Sequence, residues 1–306
     1  MTGLSYQLLP NRPLGRAQVV VLPVPLERTV SYRGGTAGAP AAILDATAQL
    51  EYYEEDLGWS PFRHLGVRVE PALEPGPGEA AAAYLERLAR AAAGVPADAL
   101  LLALGGEHSI TPGLVAGRMG RPGTVLFLDA HADLRAHYEG SAYSHACPVH
   151  HLRAAGHRVV LVGVRSLLDA EADRVATDPG LRCYPDRRLQ RGGLWPELLT
   201  ELKALEGPLW LSVDMDVFDP AAVPGVGTPQ PGGLGWHQVM DVLEAALLNP
   251  RVDLRGADVV ELVPEPSRVS DMTAAKLTQK IISLWGWSRG YPAGPETGSQ
   301  MEVDYH

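Results

Sequence analysis

The stretch Thr124-Val125-Leu126-Phe127-Leu128-Asp129-Ala130-His131-Ala132-Asp133 decides the fold. Its first half is a short, unbroken apolar run of the kind that forms a strand buried on both faces, in the middle of a parallel sheet. Its second half carries three metal-ligand side chains spaced two residues apart. In extended chain such positions point the same way, so Asp129, His131 and Asp133 are expected to converge on one point. Two carboxylates and an imidazole gathered at an apolar strand tip repel and are costly to desolvate unless a cation holds them. A divalent metal resolves both costs. Taken alone, the stretch also reads as an ordinary polar loop after a strand.

Working outward, short apolar runs at 18–22, 66–69, 99–104, 158–163, 181–184, 208–213 and 257–262 read as further strands. Between them, helical character is expected at 40–50, in the Ala-rich 79–93, at 168–177, 195–205, 236–248 and 270–285. Thr111 and Pro112 look like the N-cap and first turn of one more helix. Strands alternating with helices predict an α/β fold: three α/β/α layers around a mostly parallel central sheet. No linker divides the chain, so residues 1–306 are expected to form a single domain, with about 290–306 a polar tail, frayed or packed on a neighbouring subunit. Ligands of such sheets bind outside the carboxyl ends of the strands, which is where the candidate ligands lie.

Composition narrows the function. With 46% hydrophobic and 20% charged residues, the chain reads as soluble and globular. A net charge of −10 argues against a nucleic-acid partner and suits a cationic small molecule. Cys147 and Cys183 make no disulfide framework, no secretory signal opens the chain and no apolar run approaches about 18 residues. A cytoplasmic protein without a membrane partner is expected.

His108, in Gly105-Gly106-Glu107-His108-Ser109, and the pair Asp214 and Asp216 also stand at the ends of apolar runs. With Asp129, His131 and Asp133 they supply two imidazoles and four carboxylates, too many for one ordinary site. Since a carboxylate can bridge, two metals ~3.5–4 Å apart are the natural reading. An oxygen-rich set without thiolate suits manganese better than structural zinc. His150 and His151 are adjacent and read as structural, and Cys147, lacking an activating partner, reads as packing. The glycines at 225, 227, 232 and 233 make no phosphate loop, because no Lys-Ser or Lys-Thr follows them.

Gly105-Gly106-Glu107-His108-Ser109, Asp129-Ala130-His131-Ala132-Asp133 and Ser212-Val213-Asp214-Met215-Asp216-Val217-Phe218-Asp219-Pro220 resemble the three signature segments of the ureohydrolases, the arginase and agmatinase family, in the family's order and spacing over about residues 18–287. The resemblance implies two Mn2+ ions per subunit. His108 and Asp133 would bind one, His131 and Asp216 the other, with Asp129 and Asp214 bridging. It implies hydrolysis of a guanidine to urea and an amine by a metal-activated water, with Asp133 helping to deliver a proton to the leaving amine. His145 matches the family's proton-shuttle histidine, and Glu261 the acid that pairs with the substrate guanidinium. Outside that context His145 would read as a surface histidine and Glu261 as a buried ion-pair partner.

The substrate is read from the loop beyond the first acidic motif. Arginases place a small polar residue where this chain has Arg135, and the segments 24–32 and 143–146 look more like bacterial and archaeal agmatinases. A small cationic guanidino substrate is therefore expected, agmatine first, giving putrescine and urea, with Glu139 as partner of its distal ammonium. Aminopropylagmatine is the alternative, followed by the substrates of arginase, guanidinobutyrase and formimidoylglutamase. In other classes stand a single-zinc deacetylase-like enzyme and a non-catalytic binding protein, both disfavoured by the complete ligand set. By analogy with the family, a homo-oligomer, trimer or hexamer, is expected.

Overall fold

In the computed structural model, residues 4–294 and 296 are described. Most of the expected tail lies outside them. Its described part makes one short 3-10 turn, Tyr291–Ala293. The apolar runs form eight strands: β1 Val19–Val24, β2 Val67–Val69, β3 Leu100–Gly105, β4 Thr124–Leu128, β5 Arg158–Val162, β6 Leu181–Tyr184, β7 Gly207–Asp214 and β8 Val252–Val260. All pair in parallel, in the order β2-β1-β3-β8-β7-β4-β5-β6.

Alternation along each buried strand divides the core in two. Leu126 and Leu128 pack on one face with residues of the helices Ala39–Thr47, Trp195–Lys203, Trp236–Leu247 and Val269–Ser288. Val125 and Phe127 pack on the other with residues of Ala81–Ala93, Thr111–Met119 and Pro148–Ala154. The result is the expected three-layer α/β/α architecture. None of the described helices is long and apolar enough to cross a membrane.

Three local readings change. β8 begins at Val252 rather than 257, because Val252, Asp253 and Leu254 pair with β7 although the charged Asp253 and the bulged Arg255 break the apolar pattern. A bulge there sets Trp210 opposite Gly256, where a Cβ would stand 2.4 Å from the indole. Thr111 is not an N-cap: a 3-10 turn, His108–Ile110, runs directly into its helix, and its hydroxyl donates instead to Asp258 at 3.2 Å. The helix Pro148–Ala154, which carries His150 and His151, had no apolar periodicity long enough to announce it.

A candidate metal centre and its cavity

The sheet order places the ends of β3, β8, β7 and β4 side by side, and from them come His108, Glu261, the pair Asp214 and Asp216, and the trio after Leu128. The trio does converge, though not by strand alternation alone. β4 stops at Leu128; beyond it His131 makes an isolated parallel bridge to Ser166, and Asp133 takes a left-handed backbone, φ 48°. Glu261 is also left-handed, φ 62°. Such conformations cost non-glycine residues about 1–3 kcal/mol and collect where a site over-determines the backbone.

The six predicted ligands lie together. His108 Nδ1 is 3.1 Å from Asp129 Oδ2, 3.1 Å from Asp214 Oδ2 and 3.6 Å from Asp133 Oδ2. His131 Nδ1 is 3.0 Å from Asp216 Oδ2 and 3.5 Å from Asp129 Oδ1. Two overlapping groups able to hold a cation result: His108, Asp129 and Asp133, and Asp129, His131 and Asp216. Asp129 belongs to both and is fully buried, and its Oδ2 has no hydrogen-bond partner. A buried, orphaned carboxylate oxygen in the middle of a ligand set is a place for a cation. Asp214 turns its other oxygen to the amide of Asp216 at 2.8 Å, and Ala130 N–H donates to Asp216 Oδ1 at 3.0 Å.

The protonation energetics agree. Burial, and then the charge of Asp129, pushes Asp133 well above the usual carboxylate range; burial, and then Asp216, does the same to Asp214. Burial works against the charged form of His108, yet the adjacent carboxylates of Asp129 and Asp214 outweigh it and hold the imidazole well above its ordinary value. His131, also opposed by burial, is lifted to about 12 by Asp216 and Asp129. Without metal, protons on Asp133, Asp214 and the two imidazoles are favoured, the substitute for a cation available to the cluster.

Behind the ligands lies a buried layer. Ser212 and Asp258 are cross-strand neighbours on β7 and β8, and the Ser212 hydroxyl donates to Asp258 Oδ1 at 2.6 Å. Trp210 Nε1–H donates to Asp258 Oδ2 at 2.6 Å. The Ser212 proton being committed, its oxygen accepts from His108 Nε2–H at 2.8 Å, which leaves Nδ1 for the cation side. Phe127 stacks flat on the imidazole at 4.2 Å. Burial lifts the Asp258 carboxyl above its usual range, against the donors Ser212, Trp210 and Thr111 that hold it down. Sequence reasoning named neither Ser212 nor Asp258 as functional, although the two-residue alternation Trp210, Ser212, Asp214 carried the signal.

A cavity of about 220 Å3 opens over the cluster, lined among others by His131, Asp133, His145, Asp214, Gln230 and Glu261. Glu261 accepts the His108 amide at 2.6 Å, and burial pushes its carboxyl up to about 8. His145 is held by a network absent from the sequence reading. Glu107 accepts Thr29 N–H at 2.7 Å and the Thr29 hydroxyl at 3.1 Å. Thr29 Oγ therefore accepts from His145 N–H at 3.0 Å and from Nδ1–H at 3.1 Å, which leaves Nε2 unprotonated, 3.4 Å from Ser31 Oγ. Burial lowers the imidazole below its ordinary value. Glu107 reaches Thr29 because Gly106 passes so close to the 26–29 loop that a Cβ would lie 2.0 Å from Leu26 O. Arg135 also lines the cavity, stacked on Tyr138 at 4.3 Å.

Glu139 is not brought to the other site residues. It is exposed, with φ 47°, in the two-residue turn between Tyr138 and Ser141, and it is not among the cavity-lining residues. The cavity wall carries instead Tyr138, Leu167 and Leu168.

Residues 17–284 match the family described as the Arginase family. The chain is 40% identical over 286 residues to an N(1)-aminopropylagmatine ureohydrolase of Thermus thermophilus, covering 92% of this chain and 94% of the relative. It is 31% identical over 279 residues to an agmatinase of Pyrococcus horikoshii, covering 90% and 95%. Among solved structures, the agmatine ureohydrolase of Thermoplasma volcanium superposes with a TM-score of 0.80 at 29% identity, covering 91% of this chain and 93% of that one.

Proposed function

Because this chain belongs to the arginase family of ureohydrolases, hydrolases of guanidino C–N bonds, we propose that it hydrolyses aminopropylagmatine, a guanidino compound with a long cationic tail, to urea and the corresponding amine, using two Mn2+ ions. One observation carries the reading: the buried Asp129 turns Oδ2 to His108 and Oδ1 to His131, at 3.1 and 3.5 Å, as a carboxylate bridging two cations must. Oxygen-rich donors around two imidazoles suit manganese. The expectation ranked agmatine first. The relatives named for aminopropylagmatine share more sequence than the agmatinases, 35–40% for three of them against 31%, and the apolar rim Tyr138, Leu167, Leu168 suits a longer methylene chain. The reading also includes a homo-oligomer, by family analogy.

The ligand roles belong to this proposal: His108 and Asp133 would hold one ion, His131 and Asp216 the other, and Asp129 and Asp214 would serve both. When bound, such a pair lowers the pKa of a water near neutrality. Glu261, its Oε1 anchored on the His108 amide, pairs with the substrate guanidinium through the rest of its carboxylate. Asp133 takes the proton released as the water oxygen bonds to the guanidinium carbon, and gives it to the nitrogen that leaves as the C–N bond breaks. His145, neutral and with Nε2 free, exchanges protons between the cavity and solvent. Glu139 has no part in this reading, since it is exposed and does not itself line the cavity, although its neighbour Tyr138 does.

The test is a substrate panel with added Mn2+: aminopropylagmatine, agmatine, arginine, guanidinobutyrate and formimidoylglutamate. Aminopropylagmatine is expected to show the highest kcat/KM and agmatine the next. Preference for arginine would overturn the substrate, and turnover of none would overturn the enzyme.

A further inference from the structure

Arg165 follows β5 and points its guanidinium not at a carboxylate but at the backbone beneath the candidate metal centre. Nη2 donates to the carbonyls of Asp216 at 2.7 Å, Gln230 at 3.1 Å and Phe218 at 3.2 Å. Nη1 donates to Gly163 O at 3.2 Å and Val217 O at 3.4 Å, and Nε to Gln230 O at 3.3 Å. The main chain of Arg165 is itself fixed, its N–H donating to Ala130 O at 2.8 Å, while Ala130 N–H donates to the Asp216 carboxylate.

These contacts join three segments that have no regular ladder between them. The tight 3-10 turn Met215–Val217 carries Asp216. The Gly-rich loop carries Gln230, whose side-chain nitrogen stands 3.5 Å from His131 Nε2 and which lines the cavity. Ala130 lies between Asp129 and His131. A guanidinium has a rigid planar fork of donors, so it can hold several carbonyls at fixed mutual positions, which the single ammonium of lysine cannot.

We propose that Arg165 is a positioning residue for the His131 and Asp216 half of the centre, so that affinity for one of the two metal ions depends on it. The inference rests on the two-metal reading above. Arg165 touches neither metal nor substrate in this assignment, and it acts through the carbonyl of Asp216 and the seat of Gln230.

The experiment is Mn2+ binding by calorimetry to the metal-stripped wild type, Arg165→Met and Arg165→Lys, with electron paramagnetic resonance of the loaded proteins and thermal melting of the metal-free ones. Wild type should bind two ions with the spectrum of a coupled pair. Arg165→Met should melt close to wild type when metal-free, keep one ion at near wild-type affinity and bind the other about 10–100-fold more weakly, giving the spectrum of isolated ions at limiting metal. Arg165→Lys should fall between them. If either variant is folded and binds both ions within twofold of wild type, the proposal is overturned; equal weakening of both ions overturns it too, as the mark of a general structural defect. Should Arg165→Met fail to fold, Arg165→Lys decides by the same criteria. A wild type binding fewer than two ions would instead overturn the two-metal reading, and this inference with it.

Discussion

The Ser212 hydroxyl donates to Asp258 across the β7–β8 ladder at 2.6 Å, and this one bond fixes which nitrogen of His108 faces the ligand cluster. In Asp258→Asn the Trp210 N–H keeps the amide oxygen on its side, so the amide NH2 faces Ser212. Ser212 must then give its proton to His108 Nε2, and Nδ1 becomes the protonated nitrogen. Asp258→Asn and Ser212→Ala should each weaken Mn2+ binding by about 10–100-fold. Equilibrium dialysis measures this, and retention within twofold would show that the relay has no hold on the histidine.

Metal binding should expel protons. Asp129, Asp214 and Asp216 hold His108 and His131 above the ordinary imidazole value when no metal is present, His131 at about 12. Ligating imidazole must be neutral, so apparent Mn2+ affinity should rise with pH across the neutral range. The stability of the metal-free protein moves oppositely. A raised folded-state pKa gives stability that is complete below the unfolded imidazole value, near 6.5, and is lost as pH climbs toward about 12. Calorimetry in buffers of different ionisation enthalpy counts the protons, and zero net release would contradict the charge assignment.

Glu261→Gln keeps shape and loses the charge. If Glu261 holds the guanidinium, the substitution forfeits a charge-assisted contact of about 1.5–3 kcal/mol, so kcat/KM should fall about 10–150-fold. Bound metal should remain at wild-type stoichiometry. Steady-state kinetics with metal analysis checks both, and loss of metal together with activity would mean that the carboxylate supports His108 instead.

Leu167 and Leu168 are 43% and 47% exposed, although both line the cavity. A methylene chain lying on them would hide that surface, at about 0.8 kcal/mol per buried CH2. The double substitution Leu167→Ser, Leu168→Ser should raise KM for aminopropylagmatine several-fold more than for agmatine and leave kcat nearly unchanged. Equal changes for the two substrates would remove this rim from substrate choice.

Lys280 is almost fully buried and pairs with Glu54 and Asp56, each at 2.5 Å, and with Glu55 at 3.2 Å. These acidic residues group tightly around the ammonium, and Glu55 also pairs with Lys276 at 3.1 Å. Lys280→Met would strand the buried Glu54 charge and should cost about 3–5 kcal/mol in denaturant unfolding. A loss under about 1 kcal/mol would show that Glu54 finds solvent or a proton instead.

Much of this was legible in the chain itself. Unbroken apolar runs ending in acidic or imidazole tips need a buried parallel sheet, because no other arrangement hides both faces of such strands. The six candidate ligands could be named because each sits within a few residues of a strand end, where local order carries the information. Tertiary structure decided the rest. Whether Asp129 faces both histidines depends on β7 and β8 entering the sheet between β3 and β4, an order no local pattern encodes. Ser212, Asp258, Glu107, Thr29 and Arg165 act through partners 46 to 147 residues away for all but the last, whose contacts lie 2 to 65 away. Glu139, chosen by proximity to the acidic motif, was carried outward by a tight turn. Sequence spacing fixes the direction of a side chain only while the backbone stays regular, and at the mouth of this site the backbone is left-handed at Asp133, Glu139 and Glu261.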